Sequence, residues 1–107
     1  MASKKLINKS EFDIRVSLYV RSNSKVGKDA GENTVSLKPK ETLDVSFGTT
    51  NDRVLNGVGL VAFHQGEMLA AAEVFVMREQ NELDTLLNGN DALAIVVEDC
   101  ILKIKPG

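Results

Sequence analysis

His64 is the only histidine and Cys100 the only cysteine of the chain, so nucleophilic catalysis would have to rest on these two side chains. A serine or cysteine nucleophile is activated by an imidazole within hydrogen-bond reach, and only His64 can supply one. The sequence gives neither residue a reactive setting. His64 ends an apolar run and stands beside Gln65-Gly66, the place of a partly exposed spacer at a turn. Cys100 alternates with Leu102 and Ile104 and reads as a small core hydrophobe, whereas a reactive thiol needs partial exposure beside positive charge. No catalytic residue is assigned, and the chain is expected not to be an enzyme.

Metal chemistry is only slightly better supplied. One cysteine and one histidine cannot provide the three or four nitrogen and sulfur ligands that zinc takes. Calcium needs oxygens, and Asp29, Glu32, Asn51 and Asp52 are the candidates for it. No twelve-residue EF-hand loop is present, however, and Asp, Asn and Gly are also the residues that turns require. No metal and no cofactor is therefore assigned. Gly27, Gly31, Gly57 and Gly59 match neither a phosphate loop nor a dinucleotide fingerprint. For a sugar, the one stacking platform is Tyr19, expected on a polar strand face beside Arg15 and Arg21, where a tyrosine is also simply a good β-former.

Charge and composition narrow the partners. With 13 basic and 15 acidic residues the net charge is −2, and there is no stripe of the kind that neutralises phosphates, so nucleic acid is not an expected partner. Lys4, Lys5 and Lys9 near one terminus and Lys103 and Lys105 near the other would form a basic edge if the terminal strands paired. Edge lysines more often guard against edge-to-edge aggregation. No apolar leader precedes the first strand, and the longest apolar stretch, 58–77, is interrupted at 64–67, leaving each arm too short for a membrane-spanning helix. A lone cysteine suits a reducing compartment. The expectation is a soluble cytoplasmic protein without a membrane partner, in which the glycosylation sequon Asn8-Lys9-Ser10 is a chance match.

The elements that would position any site are mainly strands. Phe12, Ile14, Val16, Leu18 and Val20 alternate with Asp13, Arg15, Ser17, Tyr19 and Arg21, which predicts a strand with one face buried and one in water. The same period recurs at Val35-Leu37 and Leu43-Val45-Phe47, separated by a turn at Pro39-Lys40-Glu41. Residues 58–64 and 68–77 read as a hairpin about Gln65-Gly66, apolar on both faces. A short helix is expected at 81–88, with Asn81 as N-cap, Gly89 as a left-handed C-cap, and Leu83, Leu86 and Leu87 on one face. Leu93, Ile95 and Val97 take odd positions but Cys100, Leu102 and Ile104 even ones, so a bulge or tight turn must fall near Glu98-Asp99. The stretch 36–45 resembles a hairpin common in immunoglobulin-like bacterial modules. At 43 % hydrophobic and 26 % charged, 107 residues suffice for one core without disulfides. Residues 1–107 are thus expected to form a single domain, an antiparallel β-sandwich of the immunoglobulin-like kind with seven or eight strands.

Function is then sought in the connections. If successive strands alternate in direction, short links at 9–11, 39–41, 65–66 and 98–99 share one end, and long links at 22–33, 48–57 and 78–91 share the other. The leading expectation is a non-enzymatic binding or interaction module whose contacts come from the long-loop end, namely Lys28, Asp29, Glu32, Asn51, Asp52, Arg53, Asn88 and Asp91. The alternative is a self-assembling structural subunit, a homo-oligomer formed through the 58–77 hairpin, because a chain this small has little with which to cover both apolar faces. An enzyme of unrecognised type, using Cys100 with His64 or loop carboxylates, is the third reading.

Overall fold

The computed structural model describes residues 2–22, 29–49, 54–77, 81–99 and 101–107, without the side chain of Asp29. Among these residues, eight strands and one helix follow in the order β1 (Ala2–Asn8), β2 (Asp13–Arg21), β3 (Asp29–Leu37), β4 (Thr42–Phe47), β5 (Val54–His64), β6 (Glu67–Phe75), α1 (Glu82–Asn88), β7 (Ala92–Glu98) and β8 (Ile101–Pro106). They make two four-stranded sheets, β4-β1-β7-β8 and β3-β2-β5-β6, that face each other as a sandwich. The alternation in β2 works as the sequence predicts: Ile14, Val16 and Leu18 are buried between the sheets. They meet Leu6, Phe47, Leu55, Leu60, Leu93 and Ile95 in one core.

Among the described residues, five of the six strand pairings are antiparallel, and the exception is β1 with β7 in the middle of the first sheet. Because β7 intervenes, β1 and β8 are not neighbours and the terminal lysines do not gather into one basic edge. Lys4 is buried, with its ammonium donating to the Asn90 carbonyl, while Lys103 and Lys105 flank Glu98. The registers also fix direction. Each strand reverses the one before it, so the links after β1, β3, β5 and β7 share one pole and those after β2, β4 and β6 share the other.

Turn chemistry explains the tight links. Gln65 (φ 52°) and Gly66 (φ 83°) both take positive φ, the geometry that joins two strands by two residues. Between Glu98 and Ile101, which pair, Asp99 at φ 51° supplies the tight turn that the parity of the apolar residues demanded. The link at 38–41 departs from expectation. It is not a hairpin, since β3 and β4 lie in opposite sheets and the turn, with Lys40 at φ 65°, carries the chain across the sandwich. Helix α1 begins on the expected cap, the Asn81 Oδ1 accepting from the Asp84 N–H at 2.8 Å. Its far end differs: Gly89 keeps right-handed angles (φ −92°, ψ 0°) because its N–H still reaches the Thr85 carbonyl at 2.8 Å.

Two further departures matter more. At Tyr19/Val20 the pairing of β2 with β5 slips, and the slip turns Arg21 inward with Val20 although strict alternation placed it in water. There Arg21 bridges Asp84 of α1 at 3.0 Å and donates to the Leu55 carbonyl at 3.1 Å. The first long link is also shorter than expected, because β3 starts at Asp29 rather than beyond Asn33. Residues 30–33, exposed on both faces, obey no alternation that a sequence reading could detect, and they pair with β2 through the main chain.

The short-link pole is organised by Asn8, which is 0 % exposed. Its Nδ2 donates to the Phe12 carbonyl (2.8 Å) and the Lys38 carbonyl (3.0 Å), and its Oδ1 accepts from the Ser10 N–H (3.0 Å) and Oγ (2.6 Å). A side chain so engaged cannot accept a glycan. Asn8→Ala is expected to cost about 3 kcal/mol, because it strands several buried partners. Asn8→Asp should cost at least as much, since a carboxylate would face two carbonyls with no hydrogen to give. Urea denaturation of the three proteins checks this, and a loss under about 1 kcal/mol for Asn8→Asp would show that the donor is not needed.

Candidate functional site

The residues expected to make contacts at the long-link pole are only partly open to description. Lys28, Asn51, Asp52 and Arg53 lie outside the described residues, as does Cys100, and of Asp29 only the backbone is described, at the start of β3 opposite Arg21. Glu32 is exposed on β3 opposite Tyr19, and Asp91 is exposed just before β7, where its charge acts on Lys4. Asn88 is engaged within the fold. Its carboxamide accepts from the Leu55 N–H (2.7 Å) and donates to the Leu55 carbonyl (3.0 Å) and to Asp84 (2.7 Å), locking α1 onto β5. Four of the long-pole positions are thus placed, two on β3, one on the helix and one just before β7. Among the described residues no three of His, Cys, Asp and Glu group as metal ligands would. His64 is exposed, its ring edge-on to Phe12 at 6.0 Å. No helix among the described residues is long and apolar enough to cross a membrane.

The outer face of the β3-β2-β5-β6 sheet carries an aromatic ledge. Tyr19 and Phe75 stack at 5.1 Å between ring centroids, with an interplanar angle of 24°, above Gly57 and Gly59 of β5. Both glycines are there for space. A Cβ on Gly57 would lie 2.4 Å from the Val74 carbonyl oxygen and 2.8 Å from the Phe75 ring, and one on Gly59 would lie 2.8 Å from the Tyr19 hydroxyl. The expected neighbour Arg21 has left this face through the bulge. Glu73 and Glu32 take its place, the former accepting weakly from the Tyr19 hydroxyl at 3.4 Å. Burial under the stack, then these two carboxylates, raise the phenol above its usual 10.0.

The two long sides of the sandwich are not alike. Along one, β3 and β4 meet, and the Asn33 carboxamide donates across to the Ser46 carbonyl. Along the other, β6 and β8 also approach each other, with a gap between the side chains of Ala70 and Ala72 on one strand and Leu102 and Ile104 on the other. Two apolar cavities fill the gap. One of about 250 Å³ is lined by Phe12, Ala62, Leu69, Ala70, Val97 and Leu102, and one of about 120 Å³ includes Ala72, Val74, Leu83, Leu86 and Ile104.

Among the described residues, the large apolar side chains that remain exposed cluster on the strands bordering this opening: Met68 (66 %), Leu69 (53 %), Phe75 (45 %) and Met77 (82 %) in and after β6, and Ile101 (57 %) in β8. Leu69 lines the larger cavity, while Phe75 belongs to the outer face with Tyr19. The sequence signal for this exposed group is the apolar stretch 58–77, and the structure divides that stretch. The β5 arm is covered on both faces, and the uncovered apolar surface belongs to β6.

Two measurements follow. Absorbance titration of the single tyrosine should give a midpoint above 10.0 that falls, without reaching the free value, in Glu73→Gln, since burial is the larger cause. A phenol held neutral in this way supports the fold fully below pH 10 and loses that contribution as pH rises through the folded value; an unchanged midpoint in Glu73→Gln would remove the carboxylate's role. Separately, Gly57→Ala is expected to cost about 2 kcal/mol by overpacking against main chain, and Gly59→Ala under about 1 kcal/mol because a hydroxyl can swing aside. Equal losses on denaturation would contradict the close approach at Gly57.

The chain matches no protein-family model, no curated protein and no solved structure, so the assignment of a site rests on its own residues.

Proposed function

We propose that this protein is a non-enzymatic interaction module whose contact surface is the open β6–β8 side of the sandwich. The observation that carries the reading is that the exposed large apolar residues, Met68, Leu69, Phe75, Met77 and Ile101, all fall in or just after β6 and on β8, with Leu69 itself lining an apolar opening. Water contact with such a patch is unfavourable by roughly 25 cal/mol for each Å² of apolar surface, and burying it against another chain recovers that free energy. The edge strand beside the opening also turns main-chain groups outward, and such groups bind extended or sheet-edge partners by strand addition. An exposed His64 set edge-on to Phe12 adds nothing in favour of hydrolytic or transfer chemistry.

A second reading places the contacts at the long-link pole, with Lys28, Asp29, Glu32, Asn51, Asp52, Arg53 and Asp91. It is favoured by the registers that bring the links after β2, β4 and β6 to one end. Loops on a rigid scaffold commonly carry binding. One experiment compares the two. A photo-crosslinking residue is placed at Leu69 in one variant and at Asp91 in another, and each is irradiated in cell extract. Covalent adducts from position 69 and not from 91 are expected; adducts from 91 alone would transfer the function to the loops.

A further inference from the structure

We infer that the partner of the β6 edge is a second copy of this chain, joined by antiparallel β6–β6 pairing about a two-fold axis at Ala72. This inference rests on the reading of the β6–β8 side as the contact surface and goes on to name its occupant.

The argument begins with which edges are guarded. Sheet edges expose main-chain donors and acceptors, and soluble proteins blunt them with lysine, proline, bulges or cover. β8 carries Lys103, Lys105 and Pro106. β3 carries Gly31 at φ 100° and a polar sequence, and it is tied to β4 through Asn33 and Ser46, which shields both of those edges. β6 has no lysine and no proline, and between Ala70 and Phe75 its single charge is Glu73. Its main chain is also correctly turned for pairing. The Val76 N–H donates to the Asn56 carbonyl at 2.8 Å, and the register runs without a shift from there to Ala70. Residues 70, 72 and 74 therefore direct their N–H and C=O groups toward β5, while those of Ala71, Glu73 and Phe75 point away from the sheet.

Charge, the bulge and the end of β6 then leave one register, since an axis at Val74 opposes no like charges but pairs only residues 73–75 before β6 ends at Phe75. The pairing of β5 with β6 shifts at Ala62/Phe63, so Leu69 is the extra residue and regular strand begins at Ala70. A two-fold axis at Glu73 sets the two carboxylates against each other, and one at Ala70 sets Glu73 against Glu67 of the other copy. An axis at Ala71 forces the bulged Leu69 opposite Glu73. With the axis at Ala72, Ala70 faces Val74 and Ala71 faces Glu73, all within unbulged strand, and no like charges oppose. The main-chain groups of Ala71 and Glu73 are the ones turned outward, so they bond across the axis. The two copies then share one eight-stranded sheet, with the exposed apolar residues of each β6 beside the other's and the open sides brought together.

Sedimentation equilibrium of the purified full chain from low to high micromolar tests this. The expected result is a mass rising toward twice 11.6 kDa. Ala71→Pro, which removes an outward N–H and leaves the β5 ladder intact, should be monomeric with an unchanged circular dichroism spectrum. Two exposed-site variants keep the test independent of folding. Ala71→Lys, opposite Glu73 of the other copy, should tighten the dimer, and Ala71→Glu should loosen it, each by about three- to thirtyfold since the contact occurs twice. A wild-type chain that stays monomeric throughout, a dimer indifferent to Ala71→Pro, or charge variants acting with the opposite signs would each overturn the inference. A monomer that still crosslinks from position 69 to a different protein would leave the contact surface standing and refute only its occupant.

Discussion

The fold hangs on a carboxamide that has no contact with water. Asn8 is the last residue of β1, and its side chain holds the carbonyls of Phe12 and Lys38 while its own N–H reaches the Glu41 carbonyl at 2.8 Å. Those partners belong to the two links that carry the chain across the sandwich at this pole, from β1 to β2 and from β3 to β4. Neither crossing is an ordinary hairpin, and although the Glu41 N–H closes the second on the Lys38 carbonyl at 3.0 Å, other main-chain groups must find partners outside their own link. A buried polar group that is both donor and acceptor solves the problem at one point, and an apolar residue there would leave several carbonyls and N–H groups without partners.

The opposite pole uses the same device with charge added. Asn88 clasps both main-chain groups of Leu55, and Arg21 spans from Leu55 to Asp84, so α1 is fixed to the start of β5. With both poles tied by buried polar groups and β3 joined to β4, the β6–β8 side is left to apolar packing, and there Ala70 and Ala72 line cavities with residues of β8. The open side is thus a consequence of where the polar ties are placed and how small the side chains of β6 are.

Much of this architecture is legible in the sequence because burial imposes a period. β2 has one face in the core, and its four alternating apolar residues, Ile14, Val16, Leu18 and Val20, announce it; the Gln65-Gly66 turn and the Asn81 cap follow from local chemistry that tertiary context did not override. Three features leave no such trace. Arg21 turns inward through a bulge whose cause is pairing with β5, not anything in residues 19–21. β3 runs through polar residues that no buried face constrains, so its first half reads as loop. The arms around Pro39 alternate as a hairpin would, yet periodicity fixes only which side chains share a face, and it says nothing about which sheet each arm joins. At the candidate surface the same limit applies: residues 58–77 are visibly apolar, but only strand order tells that β5 is enclosed and β6 is not.

That division has a further physical meaning. An exposed edge is useful for binding only if it is already ordered, since ordering a strand at the moment of contact would consume much of the free energy gained. β6 is held in place from behind by the most enclosed strand of the molecule. Gly57 lets the Val74 carbonyl and the Phe75 ring approach β5 closely, Tyr19 stacks on Phe75 from β2, and Val76 beyond the strand is 1 % exposed. The anchors sit at the end of β6 nearest Phe75, whereas the bulge at Leu69 marks where the register shifts before pairing resumes at Met68 and Glu67. Between those two limits lies the stretch from Ala70 to Phe75, straight, small in its side chains and backed along its whole length by β5. A backbone so supported presents its outward groups at fixed spacing, which is the condition under which main-chain bonds to another strand can form without first reorganising the protein.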